Sequence, residues 1–366
     1  MLRFILGFIL FIHGLIHLMG FAKAFKYAEI SQLSLPIPRP AGTLWLLSAA
    51  LFVFAAGLFL FKKESWWMVG LPAIALSQLL IFRYWQDAKF GTIANLMAGL
   101  LVLFSWATWS WNARMMRERQ AFLTPVAQTA EKLTADMLAG LPPIVQKWIE
   151  RSNSIGKPRV QAVHLHQTGR MRTTPTGKWM PVQAEQFFTV GKPGFFWTAD
   201  VQAAPFIRLV GRDKYENSKG FMLIKALALV PVADAQGPAT DQGAMLRYLA
   251  ETIWFPSAAL QPYIRWEAVD SLSAKATMRY GDVEASGIFT FTPDGDWHSF
   301  EALRYYDRKE GPSLEKWYIE ADPGGFREFE DIRIPARSAV TWKLPSGDFN
   351  WYQLEITELK FNRPAP

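Results

Sequence analysis

Two histidines inside an apolar run are the residues of this chain best placed to do chemistry. His13 and His17 stand four apart within a stretch, Leu2 to Phe21, made almost wholly of Leu, Ile, Phe, Gly and Met. In a helix that spacing puts both imidazoles on one face, one turn apart. Hydrocarbon makes such groups costly, so they ask for a role. They could ligate a metal or a haem. Two ligands do not complete a zinc or copper site, and a third would have to come from Asp87 or from another chain. The plainer role is hydrogen bonding between helices. Asp87 and Lys89 stand two apart beside Trp85 and Phe90. They form either a solvated interfacial pair or, with His17 and Gln78, a proton or ion relay. His164 and His166 alternate along a stretch with strand character and so share a face. The sequence places no acid cluster near them, which favours a surface pair over a metal site.

The elements that must position these groups change character near residue 112. The chain has 366 residues, too many for one ordinary domain, and it carries no cysteine and a net charge of +7. Disulfides, thiolate metal sites and cysteine nucleophiles are therefore excluded. Four apolar runs, about 2–22, 41–61, 66–84 and 92–111, are each near the length needed to cross a bilayer. Pro36, Pro38 and Pro40 make the first connection extended, and Lys62-Lys63-Glu64 forms a tight polar turn between the second and third runs. Trp66, Trp67, Trp85, Trp106, Trp109 and Trp111 cluster at run ends, where amphipathic rings favour the interface. The first run is long, ends in Lys23 and Lys26 and lacks a small-x-small cleavage site, so it reads as a span and not as a signal peptide. The expectation is a four-helix transmembrane domain over 1–112, a helical linker over 113–158 and a β domain over 159–366.

Antiparallel crossing of four spans would bring dispersed polar residues to one membrane face. These are His13, His17, Ser77, Gln78, Arg83, Asp87, Lys89 and Asn95. The basic residues divide almost evenly between the two sides. The dense cluster Arg114, Arg117 and Arg119 tips the orientation toward a cytoplasmic C-terminal domain in a bacterial plasma membrane. No basic-aromatic nucleic-acid motif accompanies these charges, so nucleic acid is not an expected partner.

From Val160 onward the apolar pattern has period two. The candidate strands are 160–172, 180–190, 194–203, 206–216, 220–231, 263–270, 273–280, 284–292, 297–306, 314–321, 326–329, 333–343 and 349–360. One helix, about Gln242 to Thr252, interrupts them. Many sequential hairpins imply an antiparallel meander, curved or closed to manage its edges. The expected architecture is a mainly antiparallel, half-open barrel with an internal helix.

Several motifs then point to a family. His13-Gly-Leu-Ile-His17 with Gly20-Phe21-Ala-Lys23-Ala-Phe25, and Asp87-Ala-Lys89-Phe90-Gly91-Thr92, resemble the membrane half of certain uncharacterised bacterial proteins. Ala184-Glu185-Gln186, Pro193-Gly194-Phe195, Leu229-Val230-Pro231-Val232, Leu246-Arg247-Tyr248-Leu249-Ala250-Glu251 and Trp254-Phe255-Pro256 resemble the domain of unknown function numbered 6544. So do Arg265-Trp266-Glu267-Ala268 and Ile334-Pro335. That family brings no established activity. The β domain also resembles the periplasmic lipoprotein-carrier fold, a half-open barrel with an apolar concave face. This likeness implies an extracytoplasmic domain, against the orientation read from charge.

No nucleophile elbow, zinc-protease helix, P-loop or dinucleotide fingerprint is present, and the carboxylates Glu185, Asp200, Asp213, Asp234, Glu251 and Glu267 are scattered. The catalytic residues, if any, are thus not identified. Aromatic density is the stronger signal. Phe188, Phe196, Trp197, Trp254, Phe255, Trp266, Trp317 and Trp342 suit the lining of a hydrophobic pocket, with Arg247 and Arg265 to meet a headgroup at its mouth. The alternative is that these rings bury against one another. Three functional expectations follow. The β domain binds or presents a lipid or other hydrophobic ligand. The membrane half is a metal, haem or proton-handling unit built on His13, His17 and Asp87. Or the chain is a non-catalytic accessory subunit, packed against other membrane subunits or against its own copies.

Overall fold

The computed structural model describes residues 2–123, 131–308 and 311–363. Contacts divide the chain into two compact units, Met1–Arg114 and Met115–Pro366.

The first unit is helical. It contains α1 (Leu2–Ala24), α2 (Arg39–Leu60), α3 (Trp67–Arg83, preceded by one 3-10 turn), the single turn α4 (Trp85–Ala88) and the start of α5 (Gly91–Leu123). Four helices are long and apolar enough to cross a membrane: Leu2–Ala24, Arg39–Leu60, Glu64–Arg83 and Gly91–Leu123. At 1.5 Å per residue, 20 residues rise about 30 Å, the thickness of a hydrocarbon core. Pro38 precedes α2 in an extended conformation, and the helix starts at the Arg39-Pro40 step, where a missing N–H does no harm. The burial pattern is inverted relative to a water-soluble bundle. Phe4, Phe8, Phe54, Leu79, Phe82 and Leu96 are exposed, while His13, His17, Ser48, Ser77 and Asn95 are buried. The fourth helix runs well past the apolar stretch that ends near residue 111.

The second unit is built on one sheet. In chain order its strands are β1 (Ala162–Met171), β2 (Met180–Thr189), β3 (Gly194–Ala204), β4 (Ile207–Glu216), β5 (Lys219–Ala226) and β6 (Val230–Ala235). After helix α7 (Pro238–Glu251) come β7 (Ile264–Ala268), β8 (Ser273–Tyr280), β9 (Val283–Phe291), β10 (Trp297–Tyr306) and β11 (Ser313–Ala321). The hairpin β12 (Phe326–Phe329) and β13 (Ile332–Pro335) stands apart, and β14 (Arg337–Leu344) and β15 (Gly347–Phe361) complete the set. The main sheet has 13 strands in the order β6-β5-β4-β3-β2-β1-β15-β14-β11-β10-β9-β8-β7. Every pairing is antiparallel, and the first strand joins the last. Two meanders thus meet at β1–β15, and their free edges, β6 and β7, are joined by the segment carrying α7. That helix touches β4 and β5 at one end of the sheet and β8, β9 and β10 at the other. Only a sheet curled around the helix allows both, so the architecture is a half-open barrel with an internal helix. Met245, Leu246, Tyr248, Leu249 and Ala250 are fully buried in the resulting core.

Three departures from the sequence expectation have local causes. The stretch 220–231 is two strands, because Leu227 and Ala228 both take positive φ, 53° and 60°, in a two-residue hairpin turn. Neither residue type announces such a turn. The stretch 333–343 is also two strands. The chain passes from the small hairpin to the main sheet at Ala336, which is fully buried and leaves no polar punctuation. Within the expected linker, residues 124–130 lie outside the described residues. Beyond them a 3-10 turn (Ala135–Leu138) and α6 (Pro143–Arg151) bury Leu133, Leu138, Val145, Trp148 and Ile149 in the same core as the strands.

Because Leu249 packs on all sides, truncating it to alanine should remove about 2–5 kcal/mol of stability. Denaturation of the full chain in detergent, followed by tryptophan fluorescence, measures this. An unchanged midpoint would show that α7 is not enclosed by the sheet.

Candidate functional site

Three polar constellations and one cavity hold the chemistry. In the helical unit, five of the eight expected polar residues come together. His13 Nε2 lies 2.9 Å from Asn95 Oδ1, His17 Nδ1 lies 2.8 Å from the His13 carbonyl, and His17 Nε2 lies 2.8 Å from Ser77 Oγ. Asn95 Nδ2 donates to Ser77 Oγ and to Gln78 Oε1, each at 3.0 Å. The partners assign the protons. The His13 carbonyl and Asn95 Oδ1 can only accept, so His17 Nδ1 and His13 Nε2 carry hydrogens; Ser77 then donates to His17 Nε2. Donors and acceptors match with both rings neutral. Three of the four imidazole nitrogens are thereby engaged with protein groups, and the rings meet edge to face at 4.9 Å. This arrangement is the interhelical hydrogen bonding considered above, and it does not aim two free nitrogens at a common metal or haem.

Arg83, Asp87 and Lys89 lie apart from this network. Asp87 accepts from Ser34 N at 2.7 Å, Leu35 N at 3.0 Å and Ser34 Oγ at 2.6 Å. The Leu35 amide, then the Ser34 hydroxyl, hold its carboxyl below the usual range. Its role is to fix the loop after α1. Among the described residues no hydrogen bond joins it to His17 or Gln78, so the relay expected through these three is not assembled. Lys89 lies over the Phe90 ring at 5.5 Å, and Arg83 is exposed.

In the β unit a cavity of about 250 Å³ opens beside α7. Most of its wall follows strand parity, Arg212 and Trp351 being exceptions. Trp197, Ala199 and Val201 on β3, Leu209, Gly211 and Asp213 on β4, Met222 and Ile224 on β5, Trp317 and Ile319 on β11, Val340 on β14, and Tyr352 and Leu354 on β15 all face it. Of the expected lining, Trp197, Trp254 and Trp317 are in place. Phe188, Phe196, Phe255, Trp266 and Trp342 are not. Phe196 has the wrong parity for the concave face and packs toward Phe122, 6.2 Å between centroids. Phe188 and Phe255 pack on each other in the core with tilted rings at 4.8 Å, Trp266 meets Phe289 at 5.0 Å, and Trp342 meets Tyr306 at 4.9 Å. Methionine and aliphatic residues supply much of the remaining wall. Applying the period-two rule strand by strand would have identified them; aromatic content alone could not.

One edge of the cavity carries a charged network. Arg247 donates from Nη1 to Asp213 Oδ2 at 2.6 Å and from Nε to Glu251 Oε1 at 2.8 Å. Gln186 Nε2 donates to Glu251 Oε2 at 2.7 Å. The guanidinium also lies within 5 Å of the Phe195 and Trp197 ring centres. Burial pushes the Glu251 carboxyl above its ordinary value, while its pair with Arg247 opposes the shift. The two carboxylates flanking Arg247 keep the arginine charged. Asp213 and Glu251, unpaired in sequence, thus share one arginine. Arg247 is consumed by this network, and Arg265 is an exposed residue facing Glu267 at 3.1 Å, so neither takes the expected headgroup position.

The third constellation is His164, His166 and Glu185, whose potential ligand atoms lie within 4.8 Å of one another. Cross-strand pairing sets Glu185 opposite His166, supplying the acid that sequence order concealed. His164 Nε2 lies 2.8 Å from Glu185 Oε1, and Arg119 is 3.5 Å from Oε2. Burial raises the Glu185 carboxyl, but the His164 hydrogen bond and the charges of His164, Arg119 and His166 outweigh it and hold the group below its usual range. Three ligands of this kind could hold a zinc-like ion. Equally, Arg119 and His164 satisfy the carboxylate without one.

Replacing Asn95 with leucine should weaken the helical unit by about 0.6–1.7 kcal/mol, since it strips partners from His13, Ser77 and Gln78. Thermal unfolding in detergent tests this. Arg247→Met should cost about 3–5 kcal/mol, because it strands the buried Glu251 and the half-buried Asp213. Adding Asp213→Leu and Glu251→Leu should restore part of that loss. A larger loss in the triple variant would refute the pairing.

The sequence matches the family of unknown function DUF6544 over residues 131–354. No curated protein matches it. Among solved structures, the chain is similar to a DUF1329 family protein from Desulfovibrio piger, with 7% identity and a TM-score of 0.35, covering 62% of this chain and 95% of that one. It is also similar to a putative outer membrane lipoprotein-sorting protein domain from Vibrio parahaemolyticus, with 9% identity and a TM-score of 0.32, covering 61% and 92%. With the family match extending over more than half its length, the chain belongs to the DUF6544 family.

Proposed function

We propose that this protein is a multi-pass membrane protein whose β domain binds a hydrophobic molecule in the cavity beside α7. The observation that carries this reading is the cavity itself, about 250 Å³ and walled by tryptophan, methionine and aliphatic side chains. Well-packed interiors leave few voids larger than a water molecule. A space this size, lined by apolar groups with a few polar ones at an edge, has the character of a ligand site. Its volume lies just below the roughly 300–1,000 Å³ typical of small-molecule sites, which suits one acyl chain or a compact apolar body. The outward Phe and Leu side chains of the helical unit support residence in a bilayer, because water would not tolerate so large an apolar surface. The proposed organisation is a membrane anchor followed by a hydrophobic-ligand domain, in a bacterial plasma membrane.

Val340, on the cavity wall, provides the test. Val340→Trp should fill the space without disturbing the outer face of the sheet. Mass spectrometry of the purified full chain should find a bound acyl lipid in the unaltered protein and lose it in the variant, at unchanged circular dichroism. Equal lipid content in the two proteins would overturn the reading, as would its absence from both. Before purification, the chain should stay with the membrane fraction through an alkaline wash.

A further inference from the structure

Three arginines border the cavity, and two of them have partners. Arg247 is held by Asp213 and Glu251. Arg212 lies 3.4 Å from Glu118 and donates to the Phe221 carbonyl at 3.1 Å. Arg304, on β10, has neither. Among the described residues no acceptor lies within hydrogen-bonding distance of its guanidinium, although the group borders the cavity. Its position is nevertheless well defined. The guanidinium carbon sits 4.5 Å from the Trp317 ring centre, over a residue of the cavity wall. On α7, a Cβ at Gly243 would come within 3.2 Å of Arg304 Nε, so a glycine there gives the arginine room beside the helix. Burial pulls its pKa down to about 10, Asp213 and Glu251 raise it, and Arg247 lowers it. The group therefore remains a cation at neutral pH.

A guanidinium has five N–H donors, and at this half-buried position beside an apolar cavity, drawing water off them without matching them is costly. The face of Trp317 offsets part of the charge but accepts none of the forked hydrogen bonds. Distant carboxylates balance the charge in the same way, without filling the donors. What the site lacks is an acceptor with two oxygens, placed where the apolar walls begin. Carboxylate and phosphate groups match that fork.

Resting on the cavity-binding reading above, we propose that Arg304 binds the anionic headgroup of an amphiphile whose apolar part occupies the cavity. The ligand class is thus a single-chain amphiphile bearing a carboxylate or a phosphate. Arg247, which the sequence suggested for this role, instead holds α7 to the sheet.

The test compares cis-parinaric acid with its methyl ester, two fluorescent probes that differ only in the anionic group. Both are titrated into the full chain held in amphipol, where no free detergent or lipid competes. The acid should bind the unaltered protein about tenfold more tightly than the ester, as a charge-assisted pair implies. Arg304→Gln should bring the acid to the level of the ester and leave the ester unchanged, and Arg304→Lys should keep part of the preference. Competition then separates the headgroups. Displacement at lower concentration by oleate indicates a carboxylate, and by oleoyl lysophosphatidate a phosphate. If acid and ester bind the unaltered protein equally, the Arg304 proposal fails while the cavity reading stands. It fails equally if the preference survives Arg304→Gln. If neither probe binds, the cavity reading falls and takes this one with it. The first comparison uses unaltered protein, so it does not depend on how well any variant folds.

Discussion

The second unit depends on one buried cation. Arg247 projects from α7 between Asp213 on β4 and Glu251 one turn along its own helix, with Gln186 on β2 completing the ring. Removing a guanidinium from water is costly unless its donors are met, and here both main partners are charged. Meeting them requires the helix to lie across the concave side of the sheet at a particular rotation. The sheet must then curl to cover both flanks of the helix, and its two edges cannot meet. Curvature, open edge and cavity are therefore linked. The space beside α7 is the volume between a helix pinned at Arg247 and walls that close elsewhere on Phe188, Trp254 and Phe255.

The helical unit follows the opposite rule. Many of its large apolar groups face outward, and the polar groups of its histidine network are matched inward, the pattern that suits a hydrocarbon surrounding. The His13, His17, Ser77, Asn95 and Gln78 network holds α1, α3 and α5 together by direct hydrogen bonds, with the donors and acceptors assigned above pairing off. No charge is needed to satisfy it. Asp87 belongs to a different structure, the cap on the loop at Ser34 and Leu35. What looked in sequence like a continuous polar path is two local solutions to separate hydrogen-bonding problems.

Much of the architecture was legible in advance because it rests on local chemistry. Four apolar runs of spanning length, period-two alternation from residue 160 and the helix near Gln242 each follow from side-chain type and spacing. The strand breaks at Leu227-Ala228 and at Ala336 were harder to read, since no glycine or asparagine marks either, Pro335 alone punctuates the second, and their causes are pairings elsewhere in the sheet. The site residues divided in the same way. His13 and His17 stood out because their types conflict with their surroundings. Arg304 did not, because an arginine on an alternating strand looks like any solvated charge until the barrel closes over it.

By itself, then, the sequence determined the kinds of element, their order, and the presence of buried polarity in the first helix. Tertiary structure decided which groups share a space. It set Glu185 opposite His166, gave Asp213 and Glu251 a common arginine, sent Phe196 to the outer face and left Arg304 without an acceptor among the described residues. The physical reason is the range of the interactions. Helix and strand patterns come from neighbours a few residues apart, whereas hydrogen-bond satisfaction in this domain is settled between strands that the chain visits up to two hundred residues apart, as when β1 pairs with β15.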